Sequence, residues 1–103
     1  MLTQENAIDL SKKFIEDLKE AGYTVQKAYL YGSYLINQQN EYSDIDVAVV
    51  ADEFTGFSPV DIKPFLNILR KYRLIHAKTY STEDLTNGEP FLDEIVKKGK
   101  EIN

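Results

Sequence analysis

The chain has no cysteine. Disulfides, thiolate metal sites and a cysteine nucleophile are excluded together. Histidine occurs once, at position 76, and arginine twice, at 70 and 73. Twelve basic side chains stand against 17 acidic ones, a net charge of −5. That balance argues against the phosphate-neutralising face a general nucleic-acid binder needs, so no direct nucleic-acid contact is expected. No apolar run approaches the ~18 residues of a membrane span. Residues 1–5 lack the basic and apolar regions of a secretory signal. No membrane partner is expected, and a cytoplasmic location follows by default. Only three prolines and five glycines are present, with no repeat or linker, so the 103 residues read as one domain, 1–103.

What is there is globular in type: 43% hydrophobic and 12% aromatic. Ala7, Leu10, Phe14, Leu18 and Ala21 recur at helical spacing, with Ile8 and Ile15 widening the stripe. This predicts a helix over 3–21, with Thr3 as N-cap and Gly22 as the stop. Segments 25–31 and 45–51 read as strands, the second nearly continuous in apolar character and so central. Residues 34–39 suit a short helix. Pro59, after Ser58 as a candidate N-cap, opens a helix to about 71, which Pro64 bends or delays. Residues 73–79 read as a third strand, Ser81 to Asp84 as a capping box, and Pro90 as the start of a last helix turning Phe91, Ile95 and Val96 inward. The order implies an α/β fold: a small mixed sheet of three to four strands with helices mainly on one face. Phe54, Phe57 and Phe65 suggest an exposed apolar patch, so an oligomer with itself or another chain is expected.

Chemistry concentrates between two strands. Gly32 and Ser33 end the first, and Asp44 and Asp46 bracket the start of the next, with residues 34–43 between. Strand alternation projects both carboxylates to one face, where they repel each other unless a cation joins them. Oxygen donors suit Mg²⁺, which takes one or two carboxylates and completes its shell with water and phosphates; Mn²⁺ is the second candidate. Gly32 permits close backbone approach, and Ser33 starts the short helix, whose free N–H groups and positive end attract phosphate; Tyr34 and Tyr42 are candidates for the nucleotide or partner surface. Taken singly, each feature also fits an ordinary turn. Taken together, a phosphate cradle beside a metal-binding acid pair suits a nucleoside triphosphate and nucleotidyl transfer by a two-metal route.

Gly32-Ser33, ten residues, then Asp44-Ile45-Asp46 resembles the signature of the DNA polymerase β-like nucleotidyltransferase superfamily. The context Tyr-Ser-Asp-Ile-Asp-Val-Ala-Val-Val and the short length resemble its minimal nucleotidyltransferases. The resemblance implies that Gly32, Ser33 and Tyr34 contact the nucleotide and that Asp44 and Asp46 bind Mg²⁺. It implies an antitoxin paired with a HEPN-domain toxin, some such proteins transferring AMP from ATP to a tyrosine of the partner. The short chain leaves the acceptor surface to that partner.

Two departures stand out. Asn37 occupies a position where many relatives carry a further glycine. The segment 73–79, where relatives place a third carboxylate, has no Asp or Glu, and His76 falls at that position. His76 is therefore a candidate general base, a metal ligand, the mark of a site without chemistry, or a bystander. Glu83 and Asp84 are the nearest acids in sequence. The alternative function is a non-catalytic module that neutralises or regulates its HEPN partner by binding.

Overall fold

Thr3 opens the first helix as its side chain predicts, its hydroxyl accepting the Asn6 amide at 3.1 Å. In this computed structural model residues 3–32 and 44–103 are described. Helix α1 spans Gln4–Glu20 and buries Ala7, Ser11, Phe14, Ile15 and Leu18. Strands β1 (Val25–Tyr31) and β2 (Ile45–Ala51) follow. Next come α2 (Ser58–Ile62), a 3₁₀ turn (Lys63–Phe65) and α3 (Leu66–Leu69), so Pro64 does interrupt the predicted helix. Strand β3 (Ile75–Ser81), α4 (Thr82–Asn87), α5 (Pro90–Lys98) and the two-residue β4 (Lys100–Glu101) complete the chain. The expected helix over 34–39 lies outside the described residues.

The strands form one mixed sheet in the order β3-β2-β1-β4. β1 runs antiparallel to β2 and β4, while β2 and β3 are parallel, linked through α2 and α3. β2 is central and almost wholly buried, matching its apolar run. Alternation divides its side chains. Ile45, Val47, Val49 and Ala51 join the larger core with α1, and Ala48 and Val50 join a smaller one with Tyr29, Tyr80, Leu92 and Ile95. Most helical residues thus lie on one face, and α5 packs across the other.

The larger core is aromatic. Phe65 lies 5.6 Å from Tyr23, 5.8 Å from Phe54 and 6.2 Å from Phe14, ring centre to ring centre. Phe54 and Phe65 are 4% and 1% exposed, so the apolar patch expected from three phenylalanines shrinks to Phe57 at 61%. The last helix also differs from its reading. Leu92 and Ile95 face inward, while Phe91 and Val96 are exposed, because the buried stripe of α5 runs through Leu92 and Ile95 and the other two flank it on either side.

Ser58 does not cap α2, whose N-cap is Phe57 with no side-chain hydrogen bond. Its hydroxyl accepts the Thr79 amide of β3 at 3.0 Å. Beside it the buried carboxylate of Asp61 accepts four hydrogen bonds, from the Thr55 amide and hydroxyl, the Gly56 amide and the Thr79 hydroxyl. Burial raises the pKa of Asp61, but these donors outweigh it and leave the group below its ordinary value.

Candidate active site

β1 ends where β2 and β3 begin, so one end of the sheet gathers three side chains in a row. Tyr31 pairs with Asp46 across the antiparallel ladder, and Asp46 pairs with His76 across the parallel one. By alternation with Tyr29, Ala48 and Tyr80, all three point to the face that α5 partly covers. Nδ1 of His76 lies 3.4 Å from Oδ1 of Asp46, and the imidazole is 67% exposed.

Gly32 continues the row beyond Tyr31 with φ +81°. A β-carbon there would collide with Oδ2 of Asp46 and sit 3.2 Å from its Cγ. The glycine is thus required by the acid itself. Asp46 is half-buried, and burial pushes its carboxyl above the ordinary value. The hydrogen bond and charge of His76 oppose that shift, and the charge of Asp44 adds to it. Asp44 is exposed, one residue ahead of β2. Burial, then the charge of Asp46, raises Tyr31 to about 12, so its hydroxyl keeps its proton at neutral pH.

Residues 12–103 match the family described as "Polymerase beta, Nucleotidyltransferase". The chain belongs to this nucleotidyltransferase family. Its fold is similar to the crystal structure of a candidate nucleotidyltransferase from Sulfolobus solfataricus, with a TM-score of 0.59 and 15% identity over 82% of this chain and 75% of that one. No match is found among curated proteins.

Within this nucleotidyltransferase domain the structure brings Gly32, Asp46 and His76 together, with Asp44 near enough for its charge to act on Asp46. Ser33, Tyr34, Asn37 and Tyr42 lie outside the described residues. Asp84 is engaged elsewhere: it accepts the Ser81 amide at 2.9 Å and completes a capping box.

The donors suit one hard cation. Asp44 and Asp46 supply carboxylate oxygens, and Mg²⁺ needs no more from a protein when phosphates and water fill its shell. Among the described residues no three metal-ligating side chains converge, and His76 stands beside the acid at 3.4 Å. The described residues fit one Mg²⁺ shared with a substrate.

Two neighbours of the acid row stand outside the sequence motif. Tyr31 reads as a sheet residue that simply buries its ring, yet it flanks Asp46 in register. Lys78, two positions after His76 and so on the same face, holds its ammonium 4.0 Å from the Phe91 ring centre. Period-two alternation from His76 locates Lys78; nothing local in the sequence brings Phe91 to it.

Proposed function

We propose that this domain transfers a nucleotidyl group from a nucleoside triphosphate, ATP, to a hydroxyl on a partner protein. The observation that carries the reading is the Asp46 carboxylate set against the Gly32 turn, in register with His76. Asp44 and Asp46 would hold Mg²⁺, which supplies charge neutralisation and polarisation of the phosphates when bound. The chain's own part is to position the α-phosphorus at this sheet end and to handle one proton. The acceptor oxygen bonds to that phosphorus, pyrophosphate leaves, and the hydroxyl proton passes to His76, whose Nδ1 is turned toward Asp46 and whose ring is open to solvent. The partner class follows from the resemblance to minimal nucleotidyltransferases: a HEPN-domain protein that this chain restrains as an antitoxin.

The test is incubation with ATP, Mg²⁺ and a HEPN partner, read by mass spectrometry. One AMP added to the partner, and lost with Asp44→Asn/Asp46→Asn, supports transfer. A second reading rests on His76 standing where a carboxylate is expected: a module that neutralises its partner by binding alone. Neutralisation that survives loss of both acids, with no modification of the partner, selects it.

A further inference from the structure

A groove of about 310 Å³ opens on the same face of the sheet, between α5 and the end of β1. Its lining includes Tyr31, Gly32, Phe91 and Ile95, with Glu94 and Lys98 at the rim. We infer that this groove takes the base and ribose of the nucleotide whose phosphates lie at Gly32, Asp44 and Asp46. The inference rests on the proposed triphosphate site and extends it.

Three observations carry it. The groove is continuous with the acid row, because Tyr31 and Gly32 belong to both. β4 explains why: Lys100 pairs with Leu30, which sets the C-terminal end of α5 beside Tyr31 and Gly32. Its charge is complementary to one end of a nucleotide only. The lining is apolar apart from the Tyr31 hydroxyl and the pair Glu94 and Lys98, whose charges neutralise each other at 3.0 Å, so it suits an uncharged heterocycle and not a phosphate. Phe91 is 51% exposed; Lys78 holds its ammonium 4.0 Å over the ring centre on one side, and the ring also lines the groove. A half-exposed phenylalanine that lines a cleft and carries a cation on one side offers a surface on which a flat ring can stack. The volume stands at the small end of ligand pockets, in keeping with one base and its sugar.

The experiment compares ATP with inorganic tripolyphosphate, each with Mg²⁺, on the whole chain by titration calorimetry. Phe91 is exposed, so Phe91→Ala is expected to fold, which its melting curve checks. Phe91→Tyr keeps the ring. The expected result is that ATP binds more tightly than tripolyphosphate, that Phe91→Ala weakens ATP about tenfold while leaving tripolyphosphate unchanged, and that Phe91→Tyr restores ATP binding. Equal binding of the two ligands, with neither moved by Phe91→Ala, overturns the groove and leaves the phosphate site standing. If neither ligand binds the wild type, the triphosphate reading and the groove fall together.

Discussion

Asp46 and His76 sit directly opposite each other on parallel strands, with Nδ1 3.4 Å from Oδ1. This contact offsets part of the cost of placing a carboxylate at the head of a buried strand, but burial still dominates and the acid is held above its ordinary pKa. A folded-state pKa that is raised contributes stability below the unfolded value and loses it as pH climbs through the folded one. Asp46→Asn removes that loss. The variant is expected to melt above the wild type at neutral pH, with the gap closing on acidification toward about pH 4. Melting curves across that range check it.

Asp61 has the opposite sign. Its depressed pKa gives stability that is present above the unfolded value and fades as pH falls through the folded one. Asp61→Asn leaves buried donors facing an amide that donates in turn. The expected cost is about 2 kcal/mol or more, a fall of roughly 10 °C in Tm for a domain of this size, measured by calorimetry.

Gly32 and Gly22 form a controlled pair. Both have positive φ, but a β-carbon at Gly22 meets nothing within 4 Å, whereas one at Gly32 meets Asp46. Gly22→Ala is expected to cost only backbone strain, about 1 kcal/mol. Gly32→Ala is expected to cost more and also to displace Asp46, abolishing the thermal shift given by Mg²⁺ and ATP. Gly22→Ala leaves that shift in place.

His76→Glu puts two carboxylates side by side in register. Without metal, like charges on adjacent strands lower the melting temperature. With Mg²⁺ or Mn²⁺ that loss is recovered, and the concentration needed falls below that for the wild type. A divalent-ion titration of the melting temperature reads both effects.

Both long strands around the site were legible from residues alone: 25–31 and 45–51 carry enough β-branched and apolar side chains to fix their limits. The third strand is set two residues later than its reading, at Ile75–Ser81, because pairing with β2 and not its own composition decides where it starts. Asp44, Asp46 and Gly32 stand out by type and spacing. The burial of Phe54 and Phe65 does not, since an exposed and a buried phenylalanine near a loop look alike until Tyr23 and Phe14 close over them. Asp61 escapes for the same reason, its donors being drawn from a loop and a strand remote in sequence. Ser58 carries the capping residue type, but Thr79 claims its hydroxyl.

That hydroxyl also governs how the molecule meets others like itself. β3 forms one margin of the sheet, and an open margin offers its amides to any extended chain that drifts past, the first step toward fibrils. Ser58 occupies the Thr79 amide midway along this margin, and α2 stands over it. At the other margin β4 is only two residues long. On one margin a side chain takes an amide that an intruding strand would need, and on the other the last strand is too short to template a long ladder.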